Sequence, residues 1–188
     1  MAMRDNFKKA AKAERQKYAI NKPDMYGANR FFAAIEEGRE EDVLKMLEAG
    51  ADVHFRTQAP GRITGALAYI PYATGSTPLH AACLYGRWST VFSLMTKGAD
   101  HNTKNTEGCT PLDYALRGYE QAKTDHERKE AGRFTFKSVK RDAQERKEDF
   151  ESIVRHLVKK GAKTGLYELP KMFLETDDKP PPEAPKLP

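Results

Sequence analysis

The fold is decided by Gly75-Ser-Thr-Pro-Leu-His-Ala-Ala-Cys-Leu-Tyr-Gly86 and, after a gap of four residues, by Val91-Phe-Ser-Leu-Met-Thr-Lys-Gly98. Pro78 suits the first position of a helix, where its missing N–H breaks no hydrogen bond. Small or apolar side chains then recur at helical spacing in both halves, at Leu79, Ala82 and Cys83 and again at Val91, Leu94 and Met95. Gly86 interrupts the first run and Gly98 closes the second, as glycines do at helix ends. The stretch therefore predicts two short antiparallel helices joined by a tight turn.

The same unit recurs along the chain with a fixed period. Thr77-Pro78-Leu79 returns 33 residues later as Thr110-Pro111-Leu112. A Gly-Ala-Asp triplet at residues 50–52 returns at residues 98–100, and each triplet starts twelve residues after another glycine. A period of this length is typical of solenoids, in which each unit buries its apolar face against its neighbours.

The repeated unit resembles the ankyrin repeat. Residues 75–100 match the family pattern closely, and an earlier copy at residues 31–54 lacks its Thr-Pro-Leu-His start. A third copy begins at residue 108 and ends near residue 162, with its two halves split. The resemblance covers residues 29–118 and 150–163. It implies an all-α solenoid of helix-turn-helix units, in which His80 hydrogen-bonds neighbouring turns.

Two insertions interrupt the period. The spacing from Gly50 to Gly98 exceeds the 33-residue period by 15 residues, and the spacing from Gly98 to Gly161 exceeds it by 30 residues. The first insertion, about residues 57–74, is unusually apolar and is predicted to be a loop or hairpin finger. The second, about residues 119–149, carries mixed charge and predicts two solvated helix extensions that meet at a bend.

The predicted organisation has three parts: a basic helical arm at residues 1–28, the ankyrin-repeat domain at 29–163 and a Pro-rich extended tail at 164–188. The net charge of +5 lies wholly in residues 1–22, which hold seven basic and two acidic groups. The basic groups of the arm are Arg4, Lys8, Lys9, Lys12, Arg15, Lys17 and Lys22. A basic arm of this kind can bind protein, nucleic acid or lipid, and we favour a protein contact over nucleic acid.

Composition narrows the class of protein. No apolar run approaches the roughly 20 residues that cross a bilayer, so no transmembrane segment is expected. Cys83 and Cys109 are too few for a secreted disulfide framework, which favours a reducing intracellular compartment. We favour the cytoplasm, the cytoskeleton or a cilium, with the mitochondrion as an alternative. Two acidic groups in the arm count against a cleaved mitochondrial presequence.

The chain offers no evident reaction chemistry. His80, Cys83, His101 and Cys109 do not have the spacing of a closed zinc site, so we expect Cys83 to pack as a small apolar side chain and Cys109 to be more open near a turn. Neither a glycine-rich phosphate loop nor a nucleophile elbow is present. We expect no catalytic residue, metal or cofactor, and therefore a protein that is not an enzyme.

Candidate binding residues follow from the resemblance, because ankyrin repeats leave turn tips and one face of the first helices for partners. Carried over by position, these are Glu36, Glu37, Thr74, Ser76, Leu84, Tyr85, Glu107 and Arg117. We add the large aromatic residues Trp88, Tyr69 and Tyr72, since such side chains are favoured at interfaces. For Trp88, packing against the neighbouring repeat is an equal alternative.

Three functions remain open. The leading hypothesis is a non-catalytic structural subunit of a large assembly such as a ciliary axoneme, a mitochondrial complex or a ribosome, with several of its subunits as partners. The arm, the two insertions and the tail are long for a three-repeat body and lose conformational entropy when they become ordered. Burial against partners offsets this loss. The alternative is an adaptor that recruits one signalling or degradation partner. A second alternative is nucleic-acid binding through the basic arm.

Overall fold

The computed structural model describes residues 2–24, 28–58, 73–130 and 137–174. Every regular element in these ranges is helical: α1 Ala2–Asn21, α2 Arg30–Glu37, α3 Glu40–Glu48, α4 Pro78–Leu84, α5 Trp88–Thr96, α6 Pro111–Glu130, α7 Lys137–Lys159 and a 3-10 turn at Lys171–Phe173. The helices pair in chain order, α2 with α3, α4 with α5 and α6 with α7, and so form three hairpins.

The hairpins stack side by side in two layers. The first helices form one layer, with α2 on α4 and α4 on α6, and the second helices form the other, with α3 on α5 and α5 on α7. The apolar positions of the repeat fill the space between the layers and are fully shielded from solvent, among them Phe32, Ile35, Leu79, Val91, Leu94 and Leu112. Burial of each such side chain contributes about 1.5–3 kcal/mol. The predicted all-α solenoid of helix-turn-helix units is confirmed.

The glycines that mark the repeat sit where the backbone is left-handed. In the second hairpin φ is +65° at Gly86, between the helices, and +87° at Gly98, after the second helix. L side chains are strained in this region, whereas glycine is not. The N–H of Gly98 donates to the carbonyl of Met95 at 3.0 Å and closes the last turn of α5.

The third hairpin is longer than the others because its helices continue into the second insertion. α6 reaches Glu130 and α7 starts at Lys137, so the insertion consists of two helix extensions, as predicted. The predicted bend at residues 132–136 lies outside the described ranges. Phe150 fills the crossing of the two helices, where a Cβ added at Gly118 would lie 2.2 Å from its Cε1. Glycine at position 118 therefore permits the close approach of α7 to α6.

The two described ends of the first insertion are hydrogen-bonded to each other at the repeat stack. The N–H of Thr57 donates to the carbonyl of Ser76 at 2.9 Å, and the N–H of Gly75 donates to the carbonyl of Thr57 at 2.7 Å. Residues 59–72 lie outside the described ranges, so the expected finger, with Tyr69 and Tyr72, stays a prediction.

Helix α1 is attached to the first hairpin by its last turn. Ile20 is buried, while every residue from 8 to 19 is exposed. The side-chain amide of Asn21 donates to the carbonyl of Gly50 at 3.0 Å and accepts from the N–H of Asp52 at 2.8 Å. These contacts hold one end of the arm against the turn that follows α3.

The chain after α7 folds back onto the third hairpin. Phe173 is buried against Tyr119, with ring centroids 5.3 Å apart, and the guanidinium of Arg155 lies 5.7 Å from the centre of the Phe173 ring. We expected an extended tail from residue 164 onward. Up to residue 174 the chain instead packs on α6 and α7, because Phe173 has an apolar site there, and residues 175–188 lie outside the described ranges.

Candidate functional site

His80 links the second hairpin to the turn of the third. Its Nδ1 accepts from the N–H of Thr77 at 3.1 Å, so its Nε2 carries the proton and donates to the carbonyl of Cys109 at 3.1 Å. Burial lowers the pKa of His80 from its ordinary value of 6.5 to about 4. The neutral imidazole is thus a structural link between repeats, as the resemblance implied, and both ring nitrogens are occupied.

A second polar network joins the same two turns and includes a predicted binding residue. Ser76 is fully buried, and its Oγ accepts from Asn105 Nδ2 at 3.2 Å. Asn105 Nδ2 also donates to the hydroxyl of Tyr114 at 3.1 Å, and Asn105 Oδ1 accepts from the N–H of Cys109 at 3.0 Å. The assignment of Ser76 to a partner surface was therefore wrong, since its hydroxyl is used inside the turn.

Asp113 replaces histidine in the third repeat, 33 residues after His80. Its buried carboxylate accepts from the N–H of Thr110 and of Gly165, both at 2.7 Å, and from the N–H of Tyr167 at 3.1 Å. These bonds tie the chain that follows α7 to the start of α6. Bonds to an ionised acceptor are shorter and stronger than neutral ones, which suits this role.

Glu36, Tyr85 and Arg87 connect the first two repeats at the end where the helices of each hairpin meet. The hydroxyl of Tyr85 donates to Glu36 Oε1 at 2.8 Å, and Arg87 Nη2 donates to the carbonyl of Glu36 at 2.9 Å. A Cβ added at Gly38 would lie 2.6 Å from Arg87 Cζ, so the guanidinium lies directly on the turn. The carboxylate of Glu36 stays exposed, whereas Tyr85 and Leu84 are half-buried.

Two further expectations concern the accessibility of Trp88 and Cys109. Trp88 is half-buried, like Leu84 and Tyr85, and stacks edge to face on His156 of α7, with ring centroids 5.2 Å apart. This contact supports the alternative of packing against the neighbouring repeat, and a partner contact of the exposed part of the ring stays a prediction. Cys109 is buried and not open, and burial raises the pKa of its thiol as it does that of Cys83.

The remaining candidates are accessible to different degrees. Glu37 and Glu107 are exposed, and Glu37 pairs with Arg39 at 2.7 Å. Thr74 is half-buried, and its carbonyl accepts from both the N–H and the hydroxyl of Thr106 at the tip of the next turn. Hydrogen bonds between these turn tips join successive hairpins along one edge of the stack.

Arg117 lies in a cleft at the C-terminal end of the stack. The cleft, of about 340 Å³, is lined by Leu116, Arg117, Glu120, Gln121, Thr124, Tyr167, Glu168 and Pro170. One wall is α6 and the other is the segment that Asp113 holds in place. Large apolar side chains are exposed on the segment that follows α7, at Leu166, Tyr167, Met172 and Leu174, and Tyr167 lines the cleft. Sequence reasoning found Arg117 but missed the cleft, whose second wall depends on contacts across more than 50 residues.

The arm presents its described basic groups to solvent. Lys8, Lys9, Lys12, Arg15 and Lys17 are all exposed, and the aliphatic part of Lys17 packs near Gly50. Arg4 lies on the same helix. Neither the inner face of the repeats nor the C-terminal cleft contains these groups, so the arm is a separate candidate surface.

The described ranges also bear on membrane-spanning segments and metal sites. None of the helices there has both the length and the apolar character that a bilayer crossing requires. Within those residues, no three His, Cys, Asp or Glu side chains are grouped so that they could hold a metal ion.

Stacked helical hairpins, linked through their turns and with exposed side chains along one face, define a repeat solenoid of the protein-binding class. A family model described as ankyrin repeats, in three copies, matches residues 32–124. The chain belongs to the ankyrin-repeat family. Its repeats are protein-interaction modules, so binding of other proteins is the activity that the fold supplies.

Two relatives are similar to part of the chain. The ARF GTPase-activating protein GIT2 of Mus musculus is 31% identical over 91 residues, which is 48% of this chain and 11% of that protein. Rabankyrin-5 of Mus musculus is 34% identical over 83 residues, which is 44% of this chain and 7% of that protein. The chain thus spans about a tenth or less of the length of these relatives.

Proposed function

We propose that the protein is a non-catalytic structural subunit of a larger assembly, held by several protein neighbours. The observation that carries this proposal is a group of large apolar side chains at the C-terminal end of the stack. Leu166 is 64% exposed, Leu174 60%, Tyr167 45% and Met172 40%. The terminal units of a solenoid usually show a polar outer face, and exposed apolar groups mark interaction sites. A neighbouring subunit covers this end.

The inner face of the repeats supplies a second contact. Glu36 in the first repeat and Arg117 in the third occupy equivalent positions, and both are exposed. Tyr85 lies between them, with its hydroxyl fixed by Glu36. A rigid aromatic ring flanked by opposite charges suits a polar, selective protein contact. Arg117 also lines the C-terminal cleft, whereas Glu36 lies on the first hairpin, two hairpins away from it. The separation of Glu36 from the C-terminal end favours more than one partner.

The appendages support the same proposal. The arm and the first insertion both join the edge where successive hairpins connect, whereas the α6 and α7 extensions leave from the other edge. The arm, the first insertion and the helix extensions need surfaces beyond the three-repeat body to pack against. We further propose a reducing intracellular compartment, where Cys83 and Cys109 remain buried thiols.

An adaptor that recruits one partner is the second candidate. The specific observation in its favour is the similarity of part of the chain to an ARF GTPase-activating protein and to Rabankyrin-5. In an adaptor, the inner face would hold the single partner, and the C-terminal end would contribute nothing to binding.

Native purification of the tagged full chain from its source cells tests both candidates. One variant combines Glu36→Lys with Glu37→Lys on the inner face, away from the C-terminal cleft. Another combines Leu166→Glu with Leu174→Glu at the C-terminal end. All four side chains are exposed, so the fold should tolerate the changes.

The matched control exchanges Glu41 and Lys45 on α3, an exposed ion pair of the outer layer. For an assembly subunit, the wild type and the control co-purify with a large complex, and each double variant weakens the association. If only the inner-face variant loses one partner, the protein is an adaptor. Co-purification that neither variant changes would refute both candidates.

A further inference from the structure

Helix α1 projects from the repeat stack as an isolated basic helix. Ile20 and Asn21 attach its last turn to the first hairpin, and residues 8–19 are exposed without interruption. A helix of 20 residues is about 30 Å long. Short helices are marginal in water without tertiary contacts, so an anchored but uncovered helix of this length points to a partner along its side.

The charges of the helix are arranged around most of its circumference. Lys12 and Arg15 follow Lys8 by four and seven residues, so the three cations share one face over about 10 Å. Lys9 and Lys17 point away from that face by about 100° and 180°. A flat protein surface would meet one side of such a helix, whereas a groove between two phosphate strands meets several sides at once.

The composition of the exposed part decides between classes of partner. Of the exposed residues 8–19, Tyr18 near the attached end is 70% exposed, and residues 8–17 consist of Lys, Arg, Ala, Glu and Gln only. Protein interfaces are held mainly by buried aromatic and aliphatic anchors, and membrane-surface helices need a broad apolar face. The single ring of Tyr18 supplies neither a set of anchors nor such a face, and between residues 8 and 17 Lys and Arg are the only groups able to bind strongly.

We propose that α1 binds the phosphodiester backbone of a nucleic acid through Lys8, Lys12 and Arg15, with Lys9 on one flank. This reverses the preference for a protein partner that the sequence alone suggested. The binding is independent of base sequence, because a phosphate contact carries no sequence information. It is an activity beyond the proposed protein contacts and does not depend on them.

Fluorescence anisotropy with the full chain and a labelled mixed-sequence duplex of about 20 base pairs tests the proposal. DNA and RNA duplexes are used in parallel, since an α-helix fits the major groove of B-form DNA but not the narrow one of A-form RNA. The test variant combines Lys8→Gln, Lys12→Gln and Arg15→Gln. Gln has nearly the helix propensity of Lys and Arg, and circular dichroism checks that the helix persists.

The matched control removes the same number of exposed cations outside the arm. It combines Lys97→Gln, Lys104→Gln and Lys163→Gln, so both variants have the same net charge. A loss of binding in the test variant alone therefore reports the position of the charges and not their number.

With about four phosphate contacts, the affinity of the wild type falls about 150-fold between about 50 mM and about 200 mM salt. With the three substitutions the fall is only about threefold, and the affinity at low salt is also lower. The control keeps the wild-type dependence. Equal affinity for both duplexes supports backbone contact alone, and a preference for DNA supports insertion into the major groove.

Three outcomes would overturn the proposal. They are no binding to either duplex at low salt, equal loss of affinity in test and control variants, and tighter binding to polyaspartate than to either duplex at matched charge concentration. The last result would assign the arm to an acidic protein surface. Each readout is separate from co-purification, so failure here leaves the proposed protein contacts intact.

Discussion

Acidification destabilises the repeat stack through His80, and His80→Gln removes that part of the loss. Folded His80 has a pKa of about 4, because burial disfavours the charged ring, whereas an unfolded chain titrates near 6.5. Between these values the unfolded chain binds a proton that the folded chain does not. The stabilisation is therefore complete above about pH 6.5 and declines as the pH falls towards 4.

The magnitude follows from the width of this window. Each pH unit inside this window changes the free energy of unfolding by about 1.4 kcal/mol. The loss of stability caused by His80 on going from neutral pH to about pH 4 therefore approaches 3 kcal/mol. Asp149 acts in the opposite direction, since burial and the nearby Glu145 and Glu148 raise its pKa to about 6. Asp149 is present in both proteins, so the difference between wild type and variant isolates His80.

Urea unfolding followed by circular dichroism, repeated from about pH 7 to about pH 4, measures the effect. At neutral pH the variant is less stable by about 1–3 kcal/mol, because the links to Thr77 and Cys109 are weakened. Towards pH 4 the two proteins converge. A constant difference over the whole range would show that His80 has the same pKa in folded and unfolded chains, and would refute the reasoning.

Three further predictions concern packing and the two ends. Gly118→Ala destabilises the protein by about 1–3 kcal/mol, because the new methyl group overlaps Phe150; urea unfolding measures the loss, and adding Phe150→Ala should give less than the sum of the two single losses. Asp113→Ala costs about 3 kcal/mol and speeds amide exchange at residues 165–167; exchange rates unchanged from the wild type would contradict the role of this carboxylate. Asn21→Ala speeds exchange in residues 8–20 and leaves the repeats protected; equal exchange in both proteins would mean that Asn21 does not anchor the arm.

The repeats could be predicted because their signals are local. Pro78 at a helix start and Gly86 and Gly98 at left-handed positions are decided by neighbours a few residues away, and the period then places the other copies. The role of His80 follows from the same register. Asp113 lies at the position equivalent to His80 one period later, so the repeat period could also have identified Asp113 as a linking residue.

The missed features depend on contacts that the period does not encode. Ser76 is buried by Asn105, and Trp88 is covered by His156, which reaches it only because α7 resumes the repeat after the second insertion. The cleft beside Arg117 needs the segment after α7 to return to Asp113. Each contact joins residues 29 or more positions apart, and amphipathic spacing carries no information about such pairs.

The aspartate at the histidine position changes the kind of link that the third unit makes. His80 donates a hydrogen bond to a carbonyl of the following unit. Asp113 can only accept hydrogen bonds, and it accepts them from the N–H groups of Gly165 and Tyr167 in the segment after α7. Adding a repeat after the third by design would therefore require both a donor such as histidine at position 113 and a new course for residues 165–167.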